Sequence, residues 1–231
     1  GFKGVEYLFP YAYSVNSIKQ RLIDNQLTQV LFNLPAGDWD AGERGISCHP
    51  DRISEFREGV EQAIEYAKAL NCRQCNTLAG IVPDNVSYEL AEETLIDNLR
   101  FAADKLKQHD IKLLAEAINT FDIPGFFLNN SAQSIALIKK IKSDNLFYQY
   151  DIYHMQRMEG EVANTIQRHL PAIGHIQLAD NPGRHEPGSG EINYDFLLGF
   201  IDKLGYEGWI GAEYIPVNGT EQGLGWLKQY A

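Results

Sequence analysis

The sequence predicts an α/β fold of the (β/α)8 TIM-barrel type, lacking the first βα unit. Three observations carry that expectation. Short apolar runs recur along the chain, amphipathic helical stretches separate them, and several runs are apolar without alternation. Strands that alternate with helices pair in parallel through right-handed crossovers. Unbroken apolar runs suit strands covered on both faces. The runs occupy residues 5–9, 27–32, 75–78, 111–115, 146–150, 173–178 and 209–212. The clearest helical patterns cover 51–70, 88–109, 132–141 and 194–204, with a last helix expected over about 221–229. In the first of these, Phe56, Val60, Ala63, Ile64 and Ala67 recur at helical spacing and define one buried stripe, with Asp51 placed to cap it. Seven strand–helix units fall one short of the eight that close such a barrel, and the chain opens directly on the turn into a strand. The rival architecture is an open, doubly wound sheet. No linker or low-complexity stretch divides the 231 residues, so residues 1–231 are expected to form one domain.

Charge and cysteine content narrow the function classes. Lys and Arg number 20 against 31 Asp and Glu, a formal net charge of −11 with no basic run, which disfavours nucleic acid as a partner. No stretch approaches the ~18 apolar residues that span a bilayer, so no membrane partner is expected. The three cysteines are Cys48, Cys72 and Cys75, the last two spelling C-R-Q-C. No second Cys or His pair completes a zinc set, so the pair reads as two small residues at a strand start. An odd count also speaks against a disulfide framework and points to the cytoplasm. The oligomeric state is left open, a homo-oligomer included.

Active sites of such barrels sit at the C-terminal ends of the strands. Polar residues that close an apolar run are therefore the candidates. They are Glu116 in I-K-L-L-A-E-A, Asp151 in L-F-Y-Q-Y-D-I-Y-H, Gln177 in I-G-H-I-Q-L-A-D and Glu213 in W-I-G-A-E-Y. One such carboxylate alone would read as a helix cap or an arginine partner. Three of them with an amide at one barrel mouth would repel strongly unless a cation offset the charge. An all-oxygen donor set favours Mg²⁺ or Mn²⁺ over zinc. His154 follows Asp151 by three residues. The segment 179–194, A-D-N-P-G-R-H-E-P-G-S-G-E-I-N-Y, mixes turn residues with Arg184, His185, Glu186 and Glu191. It reads either as a solvated connector or as a substrate lid.

The strand endings L-L-A-E-A, Y-Q-Y-D-I-Y-H, H-I-Q-L-A-D and G-W-I-G-A-E-Y, with the loop P-G-R-H-E-P-G-S-G-E-I-N-Y, resemble the hydroxypyruvate isomerase family. That family belongs to the xylose-isomerase-like barrels, together with ketose 3-epimerases and endonuclease IV-type repair enzymes. The opening G-F-K-G-V-E-Y-L-F-P-Y and the stretch F-N-L-P-A-G-D-W-D-A-G-E-R-G are similar to it too, so the likeness runs through the whole chain. The resemblance implies that Glu116, Asp151, Gln177 and Glu213 hold a divalent metal and that Glu116 and Glu213 also transfer the proton. It implies substrate contacts from His154 and Arg184, and Arg184 with His185 would meet a substrate carboxylate. The implied substrate is a small 2-oxo acid or sugar, with hydroxypyruvate first and 2-oxotetronate or a ketose as alternatives. Many relatives carry a His where Asn76 stands, so no ligand is expected there. The nuclease relatives use more histidines for a three-zinc cluster than this chain supplies among its candidates.

Overall fold

The computed structural model describes residues 1–230. Seven strands, β1 (Gly4–Tyr7), β2 (Thr28–Asn33), β3 (Gln74–Thr77), β4 (Lys112–Glu116), β5 (Leu146–Asp151), β6 (Ile173–Leu178) and β7 (Ile210–Ala212), form one sheet in sequential order. Every neighbouring pair is parallel. A sequential order excludes the doubly wound rival, in which strand order reverses at a switch point. The sheet curls until its two ends nearly meet. A Cβ added at Gly211 in β7 would lie 2.1 Å from Glu6 Oε1 in β1, and one at Gly4 would lie 2.9 Å from the Trp209 ring. The result is a nearly closed TIM-like barrel of seven strands.

Helices cover the outside. They are α1 (Val15–Asp24), α2 (Ile53–Leu70), α3 (Tyr88–Lys107), α4 (Ser131–Ile141), α5 (Ile152–Met158), α6 (Val162–His169) and α7 (Tyr194–Lys203). Side chains of Ser14, Ser87, Asn130 and Asn193 cap α1, α3, α4 and α7 by accepting from backbone N–H groups of the first turn. The expected cap at Asp51 is not made. Asp51 lies in a 3₁₀ turn, Pro50–Arg52, and α2 starts after Arg52 without a side-chain cap. Helix α1, one of the less conspicuous helical patterns in the sequence, buries only Ile18 and Leu22. The final helical segment, Gln222–Gln229, is 3₁₀ rather than α; Gly223 and Gly225 weaken an α-helix there.

The main core lies between sheet and helices, where Phe32, Phe56, Leu95, Leu99 and Leu106 are essentially inaccessible. Cys48, Cys72 and Cys75 are buried free thiols, and burial pushes the Cys72 thiol up to about 12, so the C-R-Q-C pair acts as packing. The interior of the barrel differs. Alternate strand positions place Glu6, Asn33, Gln74, Asn76, Gln149, His175 and Gln177 in one hydrogen-bonded network. Barrels of this class usually fill that space with layers of branched aliphatic side chains. Among the described residues no helix is long and apolar enough to cross a membrane.

Candidate active site

Strands β4 and β5 end on Glu116 and Asp151, and the register pairs Asp151 with Gln177 on β6. Glu213 directly follows β7, and its N–H donates to Leu178 O at 3.1 Å. The four residues singled out at strand ends therefore share the C-terminal rim. Glu116, Gln177 and Glu213 line one cavity of about 300 Å³ with Glu6, Asn33 and Gln149. A larger hollow of about 600 Å³ lies between β1 and α1, but its lining is mostly apolar and no carboxylates converge there.

Glu116 and Asp151 are each held by one oxygen and present the other. Glu116 Oε2 accepts from Asn76 Nδ2 at 3.0 Å and from Gln149 Nε2 at 3.1 Å. Its Oε1 faces His154 Nε2 at 3.8 Å. Asp151 Oδ1 caps α5, accepting from the N–H groups of Tyr153 and His154. Its Oδ2 is buried and has no hydrogen-bond partner among the described residues. That oxygen faces His154 Nε2 at 3.6 Å and Arg184 Nη2 at 3.9 Å. Glu213 Oε2 accepts from Arg184 Nη2 at 3.0 Å. Glu116, Asp151 and His154 each offer a ligand atom within 4.8 Å of the others, a spacing that can hold a metal ion. A buried carboxylate oxygen without a donor is the feature a cation would satisfy, so the residues fit such an ion.

The electrostatics agree. Burial, with the Glu213 and Asp151 carboxylates close by, drives Glu116 well above the usual carboxylate range. Burial raises Glu213 to about 7, against the opposing pull of Arg184. Burial lowers His154 below the usual imidazole range and so keeps it neutral. Burial acts against the Arg184 guanidinium, but Glu213, Asp151 and Glu116 overcome it and hold its charge more firmly. The site gathers acidic groups around the Arg184 guanidinium.

The loop after β6 delivers that guanidinium. Asp180, almost inaccessible, accepts from four backbone N–H groups: Asn181 and Ile192 on Oδ1, Gly188 and Gly190 on Oδ2. Gly190 has no room for a side chain, because a Cβ would lie 2.0 Å from Asn181 O. Arg184 adopts φ 55 at the turn, and its carbonyl accepts from Ile215 N at 2.8 Å. The Arg184 guanidinium also lies 5.3 Å over the Tyr153 ring. His185 is turned elsewhere. Its Nδ1 meets Ile215 O at 2.6 Å, which ties the loop to the segment after Glu213.

Several site residues escaped the sequence reading. Asn76 and Gln149 orient Glu116, Glu6 accepts from Gln177 Nε2 at 2.9 Å, and Asp180 folds the loop. Polar residues inside the apolar runs at β3, β5 and β6 were the available signal. They break a continuous hydrophobic stretch at alternate positions, which marks the face turned into the barrel.

A family model described as xylose isomerase-like TIM barrel matches residues 1–230. Over its full length the chain is 53% identical to hydroxypyruvate isomerase of Escherichia coli, of which it covers 89%. It is 45% identical to 2-oxo-tetronate isomerase of Cupriavidus necator, covering 88% of that protein. Among solved structures it superposes with TM-score 0.97 and 43% identity on a protein of Brucella melitensis described as an AP endonuclease of family 2, covering all of this chain and 89% of that one.

Proposed function

Because this chain belongs to the xylose isomerase-like TIM-barrel family, we propose that it is an isomerase that interconverts hydroxypyruvate and 2-hydroxy-3-oxopropanoate. The observation that carries the reading is the convergence of Glu116, Asp151 and Glu213 at the strand ends, with Asp151 Oδ2 buried and undonated. Glu116, Asp151, Gln177 and Glu213 are the residues that would hold a divalent cation, Mg²⁺ or Mn²⁺, whose chemistry there is that of a Lewis acid toward the 2-oxo group.

Glu116 and Glu213 form the proton-transferring pair. One glutamate accepts the proton from C3, the C–H electron pair becomes the C2–C3 double bond, and the carbonyl pair moves onto O2. The product of that step is a cis-enediolate. Return of a proton to C2, with passage of the O3 proton to O2, yields the aldehyde. C3 is oxidised and C2 reduced by the same electron pair, so no external oxidant is required. A positioned general base of this kind contributes ~10²–10⁴-fold. Arg184 is placed to pair with the substrate carboxylate, since a guanidinium matches two oxygens at once. His154 contributes a contact to a substrate oxygen, and His185 steadies Arg184 through its bond to Ile215 O. The net charge of −11 disfavours a phosphate backbone, whereas Arg184 beside Glu213 supplies the local cation that a small 2-oxo acid needs.

The decisive experiment strips the protein with EDTA, restores Mg²⁺ or Mn²⁺, and assays hydroxypyruvate, 2-oxotetronate and a ketose panel in D₂O. Metal-dependent exchange of the C3 protons of hydroxypyruvate is expected. The alternative substrate is 2-oxotetronate, which would react through the same steps; a relative described as 2-oxo-tetronate isomerase, 45% identical to this chain, supports including it in the panel. Glu116→Gln and Glu213→Gln should each lose at least ~10²-fold in turnover with the fold intact by circular dichroism. Near-normal turnover in both variants removes the proton-transfer assignment.

A further inference from the structure

Asn119 lies three residues past Glu116 and is fully buried. Its Oδ1 accepts from the N–H groups of Phe121 at 3.1 Å and Asp122 at 2.8 Å. Those two donors fix the orientation of the amide, because a flipped group would set its NH₂ against them. Its Nδ2 therefore points the other way, donating to Asp122 Oδ2 at 3.0 Å and meeting His154 Nδ1 at 2.6 Å. Opposite an N–H donor, Nδ1 has to be the acceptor. A neutral imidazole with an accepting Nδ1 carries its proton on Nε2. That nitrogen is the one facing Asp151 Oδ2 at 3.6 Å and Glu116 Oε1 at 3.8 Å.

Spacing alone groups His154 with the two carboxylates as a metal cluster. An Nε2–H has no lone pair to give a metal. We propose that Asn119 is a positioning residue that locks His154 as the Nε2–H tautomer, keeping it out of the metal's ligand set and presenting a hydrogen-bond donor to a substrate oxygen. What that N–H meets rests on the isomerase reading above; the tautomer itself does not. Asp122 completes the device. It accepts from Asn119, from Tyr153 Oη at 2.9 Å and from Arg157 Nη1 at 2.9 Å, so the amide is gripped from both ends.

The test begins with the imidazole nitrogens. Long-range proton–nitrogen correlation on ¹⁵N-labelled, metal-free protein at neutral pH should show His154 as the Nε2–H tautomer. With Mn²⁺ bound, pulsed EPR should detect no directly coordinated imidazole nitrogen. An Nδ1–H tautomer, or a coordinated nitrogen in the wild-type protein, overturns the proposal. Asn119→Asp keeps both backbone acceptor bonds but turns an oxygen toward Nδ1. The tautomer should flip, Nε2 should become a ligand, the Mn²⁺ spectrum should gain nitrogen coupling, and kcat should fall by ~10²-fold with KM little changed. Asn119→Asp with no change of tautomer also overturns it. Should the new carboxylate beside Asp122 prevent folding, Asn119→Asp with Asp122→Asn removes the like charge and carries the same expectation. A protein that shows the expected tautomer yet leaves hydroxypyruvate untouched sinks the substrate assignment and not this one.

Discussion

Two aspartates in this barrel are equally inaccessible and do opposite things. Asp151 is 0% exposed at the end of β5, and Asp180 is 1% exposed just past the end of β6. Asp180 spends both oxygens on four backbone N–H groups, and all of its charge is absorbed by the turn it builds. Asp151 spends only Oδ1, on the first turn of α5, and leaves Oδ2 without a donor. A fully satisfied buried carboxylate is a structural strut, whereas a half-satisfied one is held in readiness for a cation. Burial alone does not separate the two roles, but the count of donors does.

The sharpest break of that comparison is Asp151→Asn. Removing one of three converging charges should cut turnover by ~10²–10³-fold. Titration calorimetry should show Mg²⁺ or Mn²⁺ binding largely lost, while the metal-free protein melts no lower than wild type because a like-charge repulsion has gone. A large stability loss would mean that Oδ2 has a structural partner. Asp180→Ala should do the reverse, costing about 3 kcal/mol in chemical denaturation because buried N–H groups lose a charged acceptor. Metal affinity should stay within ~10-fold, the low end of what lost supporting contacts cost. Equal losses of metal affinity in the two variants would erase the distinction between the two aspartates.

Arg184→Lys probes what Asp180 delivers. An ammonium makes no bidentate pair, so KM for the 2-oxo acid should rise ~10-fold with a smaller change in kcat. An unchanged KM would take Arg184 away from the substrate carboxylate. The smallest effect is expected at Gly188, which has φ +87 with open space around it and donates its N–H to Asp180 Oδ2. Gly188→Ala should cost about 1 kcal/mol through backbone strain alone, read as a modest fall in melting temperature.

The strand-end residues were legible because period and position suffice to find them. Glu116, Asp151, Gln177 and Glu213 each close an apolar run, and β-strand geometry carries them to one rim. The supporting residues were not legible for a matching reason. Asn76, Gln149 and Asn119 reach Glu116 and His154 across 40, 33 and 35 residues of chain. Nothing local in a polar side chain names its partner. Asp51 shows the same limit in reverse, since a favourable cap residue was overridden by a 3₁₀ turn.

By itself the sequence determined the alternation of strand and helix, the parallel sheet that follows from it, and the polar residues that terminate the strands. Those features depend on periodicity and on the chemistry of single side chains, which a linear chain records directly. Tertiary structure alone decided which oxygen of each carboxylate is satisfied, that Asp180 folds the loop that presents Arg184, and that Asn119 faces His154 Nδ1. Register and packing set these contacts across tens of residues, and a few tenths of an ångström separate a donor from a bystander.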